Sequence, residues 1–442
     1  MSILEELSGI IKNHDAPDPK LVKQHSIKLG LRNEDGSGVI VGITTKGSVI
    51  GYTKDAAGNK LDVPGELYYC GYDIRDLVEA HAADFGYEEI AFLLLAGSLP
   101  TASQLEAFSG CLRERRALPS RFRNEMVNII NDSMMNSLQL AVTSLYGEDP
   151  DPDSTRIADV ARQSVDLIAK FPAIVAYAYH EMEYKYRGRD LMLVNPLESG
   201  SYAENFMHLL RGGGSFTPEE TKLLDLFLIL HAEHGGGNNS TFAVRTVSSS
   251  ETDTYSAVTA GIASLKGHLH GGANEQVMAM FAEVKQAVRD WRDKDEIAAH
   301  LRKVLRREAG DGSGKIYGLG HAVYTLSDPR AILLKGIARP LAAAKGRAEE
   351  FALLDTIAEL GPRVLNEAKP GKVVSPNVDF YSGFVLDCMG IPVELYTPLF
   401  AAARISGWCA HRLEQLVQNR ILRPAYFSAS RRRSYARLSE RG

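Results

Sequence analysis

Cysteine and tryptophan are scarce in this sequence, at four and two of 442 residues, and no long apolar run occurs. Cys70, Cys111, Cys388 and Cys409 form no CxxC pair and no zinc-like spacing, so a reduced intracellular setting without disulfides is expected. The longest apolar stretches, such as Leu226 to Leu230, are far too short to span a bilayer. The opening Met1-Ser-Ile-Leu-Glu-Glu-Leu7 is acidic where a secretory or transit leader would be basic, which predicts a cytoplasmic protein. A formal net charge of -5 gives no broad field for nucleic acid or anionic membrane, so any anion site must be built locally. Internal repeats and low-complexity segments are absent too, and the length predicts two domains or one large domain with a smaller companion.

What the sequence does hold is helical periodicity. Residues 39–69 read as a small β-hairpin region, with Val39, Ile40, Val41, then Val49, Ile50, Tyr52, then Leu67, Tyr68, Tyr69 separated by glycine-containing turns. After Gly71 the text predicts helices over 73–83, 87–96, 100–116, 121–134 and 153–184, the last kinked or split at Pro172. Thr217-Pro-Glu-Glu220 is a capping-box start with proline at the first helical position, and it launches a run whose only polar interruption beyond the first turn is Asp225. That run ends in His231, Glu233 and His234, followed by Gly235, Gly236, Gly237 and Asn238. Helices are also expected from near Ala273 to about Trp291, over 295–307, and from Pro398 to Val417.

Ser264-Leu-Lys-Gly-His-Leu-His-Gly-Gly-Ala-Asn274 concentrates two histidines and two adjacent glycines just before a helix. His270 therefore falls at a positive helix end, where an imidazole is driven toward its neutral form and can polarise a carbonyl as a hydrogen-bond donor. A flexible turn with a satisfied surface histidine would look the same in this segment alone. Further along, His234, His321, Asp379, Arg330, Arg404 and Arg423 stand mostly beside glycine, proline or helix ends. Three arginines offered to one pocket suit a ligand with more than one carboxylate, because guanidinium grips carboxylate in a planar, bidentate way. Gly318 and Gly320 carry little weight as a nucleotide motif, since no strand precedes them.

Four segments resemble, in order and spacing, the citrate synthase family: His231-Ala-Glu-His-Gly-Gly-Gly-Asn238, Gly267-His-Leu-His-Gly-Gly-Ala-Asn274, Gly318-Leu-Gly-His-Ala-Val-Tyr-Thr-Leu-Ser-Asp-Pro-Arg330 and Pro376-Asn-Val-Asp-Phe-Tyr-Ser-Gly383. Gly71-Tyr-Asp-Ile74, Leu99-Pro-Thr101 and Arg423-Pro424 extend the likeness from about Leu67 nearly to the end. The resemblance implies an all-α, two-domain helical fold working as a homodimer. Residues 1–275 and 383–442 would form the large dimerisation domain, and 276–382 the small domain that closes over substrates, hinged at Gly271-Gly272 and Ser382-Gly383.

By the same resemblance, His270 polarises the thioester carbonyl of acetyl-CoA, Asp379 removes a methyl proton, and His321 donates to the ketone of oxaloacetate. His234, Arg330, Arg404 and Asn238 hold the dicarboxylate, with Arg423 supplied by the partner subunit. CoA lies along Ile316, Gly318, Leu319, Gly320 and Ala322, with Lys372 nearby, and no metal or bound cofactor is implied. The chain departs from the family pattern at Ala322 and Thr325, where an Arg and a Lys are common, and at His268, where a proline is common. Lys372 is then a candidate substitute for the missing basic contacts, and an ordinary solvated lysine would read the same. 2-Methylcitrate synthase, acting on propionyl-CoA with the same groups, fits the same motifs, because one methyl group in an apolar pocket changes discrimination by only ~1–3 kcal/mol. Two readings from other classes are a metal-dependent hydrolase using His231, His234, His268, His270 and His321, for which no HExxH pattern is present, and a non-catalytic relative.

Overall fold

A computed structural model describes residues 2–14, 18–429, 434, 435, 437 and 439. Arg431, Arg432, Arg433 and Arg441, expected to belong to a solvated arm, lie outside the described residues. The chain forms two compact units, Met1–Gly42 with Leu422–Gly442, and Ile43–Ile421. The terminal unit contains the helices Ile3–His14 and Pro19–Gln24, and in it His25 stacks on Phe427 with ring centroids 3.9 Å apart.

The Ile43–Ile421 unit is helical, with one small antiparallel sheet of order β1 (Gly47–Lys54), β2 (Lys60–Tyr69) and β3 (Tyr72–Asp73). The expected hairpin is thus present, but residues 39–46 contribute no strand and β3 is an addition. Gly47 pairs with Tyr69 and Lys54 with Lys60, with an irregularity between Ile50 and Tyr52. The buried Tyr69 donates its hydroxyl to Ile229 O at 3.0 Å, which fixes the sheet to the end of the helix Pro218–His231.

That helix forms as expected, with Thr217 and Glu220 closing a reciprocal capping box. Its one polar interruption has a structural purpose: buried Asp225 accepts from Gly86 N at 2.8 Å and Tyr87 N at 3.1 Å, satisfying the start of the helix Tyr87–Ala96. The helix Ile157–Arg187, expected to be kinked or split at Pro172, runs through it unsplit. Proline leaves the carbonyl four residues earlier without its usual donor, and the hydroxyl of Tyr202 supplies one to Ile168 O at 3.1 Å. The text over 121–134 resolves into two helices, Ser120–Ile129 and Met134–Ser144, and the helix expected to reach Trp291 ends at Ala287.

At the centre of this unit lies the helix Tyr396–Gln418, buried almost throughout from Tyr396 to Leu413. It packs on Ile157–Arg187, Asn239–Ser248, Pro218–His231 and Tyr87–Ala96, so the core encloses it on all sides. Ala401, Ala402, Ala403, Gly407 and Ala410 let those neighbours approach closely, while Arg404 and Trp408 carry functional bulk from the same helix. Among the described residues, no helix is long and apolar enough to cross a membrane. All four cysteines are free.

Candidate active site

Five separate stretches bring their polar side chains to one place. His234 leaves the helix Pro218–His231 through the glycine turn, and its ring lies parallel to that of His321, with centroids 5.0 Å apart and an interplanar angle of 2°. Tyr324 stacks on both imidazoles, at 5.6 Å from His234 and 4.8 Å from His321. Nδ1 of His321 accepts from the backbone N–H groups of Val323 and Tyr324, each at 3.1 Å. With Nδ1 so occupied, a neutral His321 carries its proton on Nε2.

His270 sits as expected just before the helix Ala273–Ala287, with Gly272 at the cap position. Its Nε2 accepts from Ser240 N at 3.3 Å and lies 3.0 Å from Ser240 Oγ. Since an amide N–H can only donate, the neutral ring holds its hydrogen on Nδ1. Burial, assisted by Arg404, His321 and Arg330, pushes the His270 pKa down to about 4. His234 is also driven well below the ordinary histidine value, by burial and then by Arg330, His321, Arg404 and His270. Both rings are therefore neutral donors or acceptors at neutral pH.

Asp379 occupies the first turn of the helix Val378–Cys388, behind the cap that Asn377 forms with Asp379 N at 3.0 Å. Its Oδ1 is shut from solvent without a hydrogen-bond partner. Burial pushes the carboxyl up to about 7; the neighbouring Asp328 adds to that rise, and Arg330 and Arg404 oppose it. His270 and Asp379, 109 positions apart in the sequence numbering, thus lie in the field of the same two arginines.

The arginines differ. Arg404 is fully buried, donates Nε to His231 O at 2.7 Å, and holds both terminal nitrogens without a partner. Arg330 is committed to Asp328 through two contacts, Nε to Oδ1 at 3.1 Å and Nη2 to Oδ2 at 2.8 Å, and Asp328 Oδ2 also accepts from Val378 N at 3.2 Å. Asp328 therefore braces Arg330 and the start of the Asp379 helix together. Asn238 is partly buried, and its Oδ1 accepts from Ser240 Oγ at 2.8 Å. Arg423 is exposed and belongs to the terminal unit.

Residues 316–322 form a strap tied to the segment before Asp379. Gly320 N donates to Ser375 O at 2.8 Å, Asn377 N to Gly318 O at 2.9 Å, and Asn377 Nδ2 to Gly320 O at 2.9 Å, with Leu319 bridged to Pro376. Ile316 is buried, Ala322 and Lys372 are exposed, and Gly318 and Gly320 adopt φ values of 76° and 93°. His268 is exposed. Ser382 and Gly383 lie inside a helix, where a Cβ on Gly383 would meet Met278 Cγ at 2.6 Å. A cavity of about 780 Å³ borders Asp328, Ser375, Pro376 and Tyr381, and neither the three histidines nor Asp379 line it.

Several bracing residues escape sequence reasoning. Ser240 and Trp408, whose indole N–H reaches Ser240 Oγ at 3.1 Å, orient His270 from far away in the sequence. Asp328, which caps the helix Pro329–Ala344 by accepting from Arg330 N, was missed, and the Asp-Pro order before Arg330 is the signal that could have found it. No group of three or more His, Cys, Asp or Glu side chains is arranged to hold a metal ion among the described residues.

The citrate synthase C-terminal domain family matches residues 37–425. The chain belongs to the citrate synthase family. Citrate synthase from Deinococcus radiodurans is 36% identical over 385 residues, spanning 85% of this chain and 93% of that protein. A 2-methylcitrate synthase from Shewanella oneidensis is 34% identical over 365 residues, spanning 81% of this chain and 87% of that protein. Among solved structures, the ternary complex of Thermoplasma acidophilum citrate synthase with carboxymethyl coenzyme A and oxaloacetate superposes with a TM-score of 0.75 at 28% identity. It covers 94% of this chain and 99% of that one. This chain is thus an enzyme of the citrate synthase type, a transferase, and its helical fold is the family's.

Proposed function

We propose that this enzyme condenses acetyl-CoA with oxaloacetate and hydrolyses the resulting thioester to citrate and CoA. The observation that carries the reading is a set of buried polar atoms left without partners: both terminal nitrogens of Arg404, Nε2 of His234 and Oδ1 of Asp379. Leaving such atoms unsatisfied is costly, so their company in one place fits a site completed by a polar ligand. Arg404, Arg330, His234 and Asn238 take the dicarboxylate, and Arg423 of a second copy completes its grip in a homodimer. The strap 316–322 lies along CoA, with Lys372 toward its phosphates. Residues 276–382 close over the substrates. A cytoplasmic location agrees with four free thiols.

The chemistry follows from the tautomers. The Nδ1–H of His270 donates to the thioester oxygen while the Asp379 carboxylate takes a proton from the methyl carbon, so negative charge is met as it forms. The enol carbon attacks the oxaloacetate ketone, and as the carbon–carbon bond forms the thioester carbonyl is restored and its proton returns to Nδ1 of His270. The ketone oxygen takes the proton from Nε2 of His321, which is replaced through water by the proton that Asp379 holds. Water then cleaves the thioester and releases CoA. Each step uses a side chain or a water, and acyl-CoA enters as a substrate; no resident cofactor is called on. Holding ketone and enol in register removes much of the entropy of a bimolecular step, worth up to ~7–11 kcal/mol.

Propionyl-CoA is the second acyl donor to consider, supported by the 34% identity to a 2-methylcitrate synthase. Release of free thiol with oxaloacetate, measured across acetyl-, propionyl- and butyryl-CoA, tests both readings. The highest kcat/KM is expected with acetyl-CoA. Strong preference for propionyl-CoA would transfer the assignment to methylcitrate formation, and no thiol release from any of them would overturn the reaction.

A further inference from the structure

Behind the cluster lies a second group of buried charges that the condensation does not use. Glu233, next to His234, is wholly buried. Its Oε1 accepts from His411 Nε2 at 2.9 Å and from Gly235 N–H. Nδ1 of His411 lies 2.9 Å from Arg245 Nη1, and an arginine N–H can only donate, so the imidazole turns its Nε2–H toward Glu233. Arg245 has its own carboxylate, Glu414, and also donates to Gln418 at 2.9 Å. The charge of Glu233 is therefore not consumed by Arg245.

Glu233 Oε2 is buried without a hydrogen-bond partner. Two glycines show what surrounds it. A Cβ on Gly407 would fall 2.6 Å from Glu233 Oε2 and 3.3 Å from Arg404 Cδ, and one on Gly47 would fall 2.5 Å from Glu233 Oε1. The unused oxygen and the Arg404 stem thus border the same small space, kept open by the absence of a side chain at Gly407. Of the carboxylates acting on Arg404, Glu233 acts most strongly, ahead of Asp379. In return, burial works to raise the Glu233 carboxyl, but His411, Arg404 and Gly235 N–H together hold it below the usual carboxylate range.

We propose that Glu233 is the standing counter-charge of Arg404, a positioning residue that keeps the empty site stable and, by sharing the guanidinium's field, holds down affinity for the incoming dicarboxylate. The proposal rests on reading Arg404 as a carboxylate-binding group. A buried guanidinium with both terminal nitrogens unpartnered is costly unless an anion lies near. Glu233 supplies that anion from behind, without blocking the nitrogens that face a ligand.

The test uses the full-length enzyme, titrated calorimetrically with oxaloacetate and melted with and without it. Glu233→Gln keeps an acceptor for His411 and Gly235 but removes the charge. Its empty form is expected to melt lower than wild type while binding oxaloacetate on the order of tenfold tighter, about 1.4 kcal/mol. A purely structural role predicts the opposite sign for binding. Glu233→Asp, which keeps the charge, is expected to stay near the wild-type Kd. Arg404→Gln should weaken binding; if it leaves Kd unchanged, the reading of Arg404 itself falls. If Arg404→Gln weakens binding but Glu233→Gln binds no more tightly than wild type, only the counter-charge proposal falls. Should Glu233→Gln be too unstable to titrate, the double variant Glu233→Gln/Arg404→Gln decides: melting above Arg404→Gln supports a charge pair, and melting at or below it overturns one.

Discussion

Asp379 sits in an environment far from the one its carboxyl would meet in water. Burial lifts its carboxyl to about 7 from an ordinary value of 3.8, which suits a base that must take a proton from a very weak carbon acid near neutral pH. The acid limb of kcat/KM is expected near that value. His270, pushed down to about 4, should add no limb at neutral pH. The same shift has a stability consequence. Between about pH 4 and pH 7 the folded chain keeps a proton that the unfolded chain releases, so this group's contribution to stability falls as pH rises and levels off above 7. Asp379→Asn should abolish turnover, leave oxaloacetate binding largely intact, and melt above wild type by a margin that widens across that interval. A margin that stays flat with pH would mean that burial does not raise this carboxyl.

The residue types of this cluster were legible in the sequence: His234, His270, His321, Asp379 and Arg404 all stand in the four quoted segments or in the last long helix. What could not be read was which side chain braces which. Arg330 was expected to meet a ligand, and it does lie in the cluster, but it is also locked by Asp328. Ser240 meets His270 across 30 positions and Trp408 meets Ser240 across 168, distances over which sequence carries no pairing signal.

At the scale of elements, the strap 316–322 depends on how glycine is used. Gly318 has φ 76°, and a Cβ there would meet Phe380 Cδ2 and Val277 Cγ2 at 2.8 Å each and the Phe380 backbone at 3.1 Å. Gly320 has φ 93°, but its nearest neighbour, Val374 Cγ1, lies at 3.4 Å. Gly320→Ala therefore pays only the left-handed conformation, about 1–2 kcal/mol, whereas Gly318→Ala adds a clash with the helix that carries Asp379. Gly318→Ala should lose more stability to denaturant than Gly320→Ala and raise KM for acyl-CoA. Equal losses in the two variants would mean that the packing contact is unimportant. Helix starts with local chemistry, such as Thr217 with Glu220, were readable; that the helix stays unsplit at Pro172 was not, because Tyr202, which donates to the freed carbonyl, lies 34 residues from it.

At the scale of the whole molecule, the proposed homodimer has a consequence that no single chain can show. If Arg423 serves the site of the partner copy, each site draws Asp379 from one chain and Arg423 from the other. Asp379→Asn and Arg423→Ala would each be inactive or nearly so as pure dimers. Mixed and reassembled, half of the dimers carry one chain of each kind. In such a dimer one site lacks both groups, and the other has both intact, because closed two-fold symmetry distributes the defects unequally. Equal mixing should therefore restore about a quarter of wild-type activity, one intact site in two for half of the dimers. Were Arg423 to act within its own chain, every site in the mixed dimer would lack one group and no activity would return. Measuring turnover after joint unfolding and refolding, against the two variants refolded apart and then combined, separates these outcomes and also tests whether the dimer is the working unit.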